Sequence, residues 1–203
     1  MVEISDKRMA WLAKHERNVY SQFGEDGIIE AILGRIKPRT EWCFEVGASD
    51  GVFYSNTMQW RERGWQSLLM DCDTSKFVGL CKHRSERVTC LLVDVTVTKI
   101  DAVLGEVGAP RDLDFCVIDI DGQDYHVWDD LVLFVPRVVM VEHAHRVDYP
   151  PPPRMADVCG KETVQAGRTA IAELGKRKGY ELVCRTDVNS IFILESELSC
   201  LLD

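Results

Sequence analysis

Three carboxylates, Asp119, Asp121 and Asp124, fall within six positions directly after the apolar run Leu113 to Ile118. Acids this close repel one another unless a cation, a proton or a hydrogen-bond donor offsets them. Asp119 and Asp121 alternate with Ile120, so on an extended chain both face one side. A second ionisable group, Glu142, His143 and His145, follows another apolar run, Val138 to Val141. If the two runs are neighbouring parallel strands, the two groups meet. Two chemistries then stand open. Asp121, Glu142 and His143 offer oxygen and nitrogen ligands to a divalent metal such as Mg2+. Alternatively, Asp119 faces a bound cofactor, Asp121 and Asp124 cap the next helix, and Glu142 pairs with a surface arginine.

Two further places carry acids and glycines at the ends of apolar runs. Glu45-Val46-Gly47-Ala48-Ser49-Asp50-Gly51 is a turn whose glycines let backbone approach a ligand closely. It is not the dinucleotide fingerprint G-x-G-x-x-G, because Ser49 replaces the second glycine and Gly51 comes one residue early. Glu45, Gly47, Ser49 and Gly51 are candidate cofactor contacts. Leu68-Leu69-Met70 ends in Asp71, and an acid there can accept the two ribose hydroxyls of an adenosine ligand while repelling a ribose phosphate. Asp94, after Val93, can accept from an adenine amino group or cap a turn.

These residues need a scaffold that gathers strand ends. Strand-like runs at Trp42 to Val46, Gln66 to Met70, Val88 to Val93, Leu113 to Ile118 and Val138 to Val141 alternate with helical segments. The spacing predicts helices over Asp26 to Ile36, Ser55 to Arg63, Thr74 to Lys82, Ile100 to Val107 and Thr163 to Lys178. Tyr180 to Arg185 and Ser190 to Leu194 are too close in sequence for anything but an antiparallel pair. Regular alternation implies a mostly parallel sheet with helices on both faces and ligands beyond its carboxyl edge. Arg146 to Gly160, with Pro150 to Pro153, breaks the rhythm. A run of prolines is extended, and long irregular loops are often lids or binding loops. A plain surface connection is the other reading.

Composition narrows the classes. Lys and Arg number 24 against 33 Asp and Glu, a net charge of −9, so no global field draws in nucleic acid. No window approaches the ~18 apolar residues a membrane helix needs, and Met1 to Lys14 lacks the apolar core of a signal peptide. A cytoplasmic protein, contacting neither nucleic acid nor membrane, is the expectation. The eight cysteines form no C-x-x-C pair and several lie in apolar runs, as buried thiols do. The length suits one domain, residues 1–203, with a helical N-terminal segment, 1–25, and a proline-rich loop, 143–160.

Taken together, three motifs resemble those of a known family. Ser21-Gln22-Phe23-Gly24-Glu25-Asp26 looks like the S-Q-x-G-E-D motif that opens FkbM-type methyltransferase domains. Phe44 to Gly51 resembles that family's first motif, and Asp119-Ile120-Asp121-Gly122-Gln123-Asp124-Tyr125 is similar to a D-x-D-G-x-D-Y stretch of its shorter relatives. The resemblance runs from Ser21 to Glu142. It implies the Rossmann-like class I methyltransferase fold, with a mostly parallel seven-stranded sheet and an antiparallel C-terminal strand. It implies S-adenosylmethionine as donor and a small-molecule acceptor, usually an oxygen on a sugar or secondary metabolite. Gln22, with one donor and one acceptor, suits the donor's amino-acid end, so Ser21 to Asp26 is expected to fold over it.

Methyl transfer from a sulfonium is a direct displacement, so alignment is the main task. A hydroxyl acceptor must also lose its proton. His143, His145 and His126 are candidate bases, with Asp119 and Asp121 beside them. A metal on Asp121, Glu142 and His143 is the other device. Glu142 to Gly160 is expected to shape the acceptor site and to move without substrate. Two rivals stand: a domain that retains the fold and donor binding without catalysis, and a nucleotide-sugar enzyme gripping a metal-diphosphate with Asp119 and Asp121. Oligomeric state is open, a homodimer being one option.

Overall fold

The computed structural model describes residues 2–154 and 164–202. The chain opens with α1 (Val2–Ala13) and α2 (Glu25–Ile36), and then alternates. In order follow β1 (Trp42–Val46), α3 (Met58–Glu62), β2 (Gln66–Asp71), α4 (Thr74–Leu80), β3 (Val88–Leu92), α5 (Ile100–Glu106), β4 (Phe115–Ile118), α6 (Asp124–Asp130) and β5 (Val138–Glu142). The chain continues through α7 (Arg168–Arg177), β6 (Tyr180–Arg185), β7 (Asn189–Leu194) and α8 (Leu198–Leu202).

One seven-stranded sheet has the order β3-β2-β1-β4-β5-β7-β6. The first five strands in that order run parallel, and β7 lies antiparallel between β5 and β6. This is the expected Rossmann-like methyltransferase fold. The central strands β1 and β4 are buried along their whole length, as strands covered on both faces must be. One face packs Phe44, Cys116, Val139 and Phe192 against Leu104, Trp128, Ile171 and Leu174 of α5, α6 and α7. The other packs Cys43, Phe115, Val117, Met140 and Ile191 against Leu12 and the Ile28, Ile29, Ile32 and Leu33 stripe of α2. Burial of this much apolar surface is what holds the sheet between its two helical layers.

The helix expected over Ser55 to Arg63 is shorter, Met58–Glu62, because Ser55 and Thr57 spend their hydroxyls on a strand carboxylate. The helix expected from Thr163 begins, among the described residues, at Arg168. The irregular segment also departs from expectation in its described part. Pro152 and Pro153 are tied to α6, where His126 Nε2 donates to the Pro152 carbonyl at 2.6 Å and Gln123 Nε2 to that of Pro153 at 3.1 Å. Arg154 forms ion pairs with Asp129 and Asp130. The rest of the proline-rich loop, residues 155–160, lies outside the described residues.

Candidate functional site

The parallel strands bring their carboxyl ends to one edge. Gly47 and Ala48 donate backbone N–H groups to the Met70 carbonyl at 2.9 and 3.0 Å, locking the turn after β1 to the end of β2. Gly47 has φ +80°, and a Cβ there would stand 1.7 Å from the carbonyl oxygen of Asp119. Only glycine lets the turns after β1 and β4 approach this closely. A cavity of about 390 Å³ opens beside this contact. It is lined by Gly47, Asp71, Asp94, Asp119, Asp121, Lys76 and Gln123, with Val93, Val95 and Ile120 as apolar walls.

Asp71 is buried and pinned. Ser49 N donates to its Oδ2 and Asp73 N to its Oδ1, both at 2.8 Å. Each oxygen keeps a lone pair for a ligand. Ser49 therefore reaches the site through its backbone, at φ +52°, and not through its hydroxyl. Asp94 Oδ1 accepts from Thr96 N and Oγ1, at 2.9 and 2.6 Å, which fixes its turn. Gly51 packs against α4, where an added Cβ would meet His83 and Leu80 at about 3 Å. Glu45 does not line the cavity. Its buried carboxylate accepts from Ser55 Oγ (2.8 Å), Asn56 N (2.9 Å) and Thr57 Oγ1 (2.6 Å), and so anchors the segment leading into α3.

Asp119 and Glu142, at the ends of neighbouring strands β4 and β5, form a hydrogen-bonded carboxyl pair. Burial is the largest cause raising both. The charge of Asp124 adds to it for Asp119, against a hydrogen bond from Glu142 that pulls the other way, bringing Asp119 up to about 7; the charges of Asp119 and Asp124 add to it for Glu142, bringing it up to about 10. The pair thus keeps a proton at neutral pH. Gln165 Nε2 donates to Glu142 Oε2. Asp124 is fully buried and pushed up to about 6, again mainly by burial, although Ile120 N and Gly122 N donate to it at 2.8 and 3.0 Å. It closes the turn ahead of α6 and does not cap it from outside, as had been the alternative reading. The surface arginine expected for Glu142 is replaced by Asp119 and Gln165.

The expected metal set is not assembled. Among the described residues no group of three or more His, Cys, Asp or Glu side chains is arranged to hold an ion. Asp121 is exposed with φ +57°, turned out by the tight turn, while Glu142 is committed to Asp119. His143 is fully buried, its Nδ1 3.3 Å from the Ala144 carbonyl and its Nε2 without a partner. Burial, with help from Arg168, holds it below the usual histidine range. It does not line the cavity. His145 leans on the Asp187 carbonyl and His126 on Pro152, so none of the three expected bases reaches the cavity.

Ser21 to Asp26 is held at the sheet edge by its two acids. Asp26 Oδ2 collects the amides of Val19, Tyr20 and Ser21 at 2.7 to 2.8 Å. Glu25 accepts from Thr186 Oγ1 (2.7 Å) and Asn189 Nδ2 (3.0 Å) at the start of β7. The two acids clamp the entry of α2 onto the sheet. Gln22 is exposed and does not line the cavity. Lys76, Thr96 and Gln123, which do line it, were not singled out. The available signal is their position four or five residues beyond a strand's carboxyl end.

No protein-family model matches this chain, and no curated protein matches it. Solved structures do. An O-methyltransferase from Bacillus cereus in complex with SAH (S-adenosylhomocysteine) superposes with a TM-score of 0.55 at 14% identity, over 95% of this chain and 91% of its own. A putative O-methyltransferase from Klebsiella pneumoniae gives 0.54 at 12%, over 94% and 89%. Magnesium protoporphyrin IX methyltransferase from Synechocystis, with bound SAH, gives 0.52 at 11%, over 95% and 83%. The chain is therefore similar in fold to class I S-adenosylmethionine-dependent methyltransferases.

Proposed function

We propose that this chain is an S-adenosylmethionine-dependent methyltransferase of FkbM type that methylates an oxygen on a small molecule. The observation that carries the reading is Asp71. A buried carboxylate at the end of β2, pinned by Ser49 N, faces a cavity bounded by the close Gly47–Asp119 contact. The residues present fit the donor. Asp71 would accept the ribose hydroxyls, and Asp94 the adenine amino group. Val93, Val95 and Ile120 offer an apolar slot for the base. Asp119, with Glu142 behind it, supplies negative potential for a cation. When bound, the donor supplies a methyl group on an electron-poor sulfur.

The chain's own residues then have two duties. Gly47 and Ile120 set the direction from which an acceptor approaches. The Asp119–Glu142 pair, holding one proton between two carboxyls, can take the acceptor's hydroxyl proton at near-neutral pH, as a base tuned upward by burial should. Glu45, Ser49 and Gly51 act by positioning. That SAH-bound structures share the fold, and that the three resembling motifs surround one sheet edge, also support the reading. Replacement of Asp71 by Ala is expected to weaken S-adenosylmethionine binding by ~1–3 kcal/mol, the worth of hydrogen bonds to a charged group. Isothermal titration checks it, and an unchanged dissociation constant would remove the ribose role and the reading with it.

A further inference from the structure

A second pocket, of about 310 Å³, lies where the chain leaves β5 and returns into α7. It shares no lining residue with the cavity at Gly47. In a chain of net charge −9 its lining is cationic, with Arg146, Arg168 and Arg185 beside His145. Asp148 is the acid among its lining residues. That carboxylate is already committed, accepting from Thr169 N at 2.9 Å and from Thr169 Oγ1.

The walls are built, not draped. Ala144 N donates to the Ala166 carbonyl at 2.9 Å and Gly167 N to that of Tyr149 at 2.8 Å, zipping the two segments together. A Cβ on Gly167 would stand 2.3 Å from Asp148 Oδ1, so the two walls touch there. Arg168 is held by neutral groups. Its Nη2 donates to the His145 and Asp187 carbonyls, each at 3.2 Å. Those bonds orient the guanidinium without cancelling its charge, and its other donors remain. Neither the Arg185 nor the Arg146 side chain makes a hydrogen bond among the described residues. Burial and the like charge of Arg168 lower Arg185 from the usual arginine range. Three guanidiniums gathered around one acid, Asp148, whose charge Arg168 and Arg185 already share, leave the pocket short of an anion.

We propose that this pocket binds the phosphate group of a ligand, gripped by Arg146, Arg168 and Arg185. Guanidinium forks match phosphate oxygens geometrically, and a dianion balances two apposed cations better than a monoanion does. Free phosphate and a phosphate monoester present the same group. The inference does not rest on the methyl-transfer reading.

Isothermal titration of the full chain at low ionic strength tests it, with inorganic phosphate in one arm and glycerol phosphate in the other. One saturable site is expected in at least one arm. Arg185→Gln and Arg146→Gln should each weaken it roughly tenfold or more, as loss of a charged hydrogen bond does. Arg146 is exposed, so its variant separates binding from folding, and the urea-unfolding midpoint serves as the control for both. Tighter binding of glycerol phosphate assigns the site to an ester, and equal or weaker binding assigns it to free phosphate. No saturable heat in either arm overturns the proposal. So does affinity unchanged in both variants, or competition by acetate at equal concentration.

Discussion

The strands β4 and β5 carry charged groups at both ends, and the two ends are opposites. At the amino end, Asp114 and Arg137 precede the paired residues Phe115 and Val138. Arg137 is fully buried, with Nη1 2.7 Å from Asp114 Oδ1 and Nε and Nη2 bonded to Glu197 at 3.0 and 2.9 Å. Its remaining donors reach the carbonyls of Ile36 and Lys37. Asp114 also accepts the amides of Arg39, Thr40 and Glu41. Every charge there has an opposite. At the carboxyl end, Asp119 and Glu142 follow the paired residues Ile118 and Val141, and the partners are alike in charge. Same strands, same register: one end is satisfied and the other, partly exposed, keeps a deficit that a cation or a proton fills. A satisfied cluster serves the fold, and a frustrated one marks the site.

The largest expected effect lies at the satisfied end. Arg137→Met leaves Asp114 buried without its cation and Glu197 with Arg39 alone, which costs about 3–5 kcal/mol for a broken buried pair. Urea unfolding should show it, with donor affinity of the remaining folded protein unchanged. A loss below ~1 kcal/mol would mean the amino-end cluster is as dispensable as a surface ion pair, and the contrast would collapse.

A smaller effect of opposite sign is expected at the other end. Glu142→Gln mimics the protonated form, since the amide can donate to Asp119 and its oxygen can still accept from Gln165. Asp119 and Glu142 have folded pKa values raised above their unfolded ones. Their stability contribution is therefore full below about pH 4 and is lost as pH rises through about 7 to 10. The variant should be more stable than the parent at pH 8, by on the order of 1–2 kcal/mol after discounting for partial exposure. The fall in Tm between pH 5 and 9 should flatten. Equal slopes in parent and variant would show that the carboxyl end is not frustrated.

The two ends were not equally legible in the sequence. Acids after apolar runs are visible as such, so Asp71, Asp94, Asp119 and Asp121 could be assigned to one sheet edge before any coordinates. The strands and the lone antiparallel β7 followed from run length and from the short Thr186 to Val188 link. What stayed hidden was pairing between distant positions. Glu45 looks like a ligand contact until Ser55, Asn56 and Thr57 are seen to take its oxygens. His143 looks like a base until its burial is known. The Arg137 cluster joins positions 36, 37, 114, 137 and 197, which no periodicity connects. Arg168 and Arg185 sit on different elements, and only the return of the chain into α7 brings them together.

The smallest expected effect tests the carboxyl end without any substitution. The donor carries a sulfonium charge and its product, S-adenosylhomocysteine, does not, while both present the same adenosine to Asp71 and Asp94. Below about pH 7 the Asp119–Glu142 pair tends toward neutrality and has little reason to prefer either. As pH rises through about 7, Asp119 ionises and the cation gains a partner that the neutral product cannot use. The ratio of donor to product affinity should therefore rise between pH 6 and 8.5, by a few-fold, which is under ~1.4 kcal/mol. Titrations of both ligands across that range, repeated in buffers of different ionisation enthalpy, should also show net proton release with the donor alone. Glu142→Gln should leave the rise near pH 7, because Glu142 is already neutral below about pH 10 and the amide mimics that form. A ratio independent of pH would place the sulfonium away from Asp119 and leave the carboxyl pair as a feature of the fold, equal in kind to the cluster at the other end.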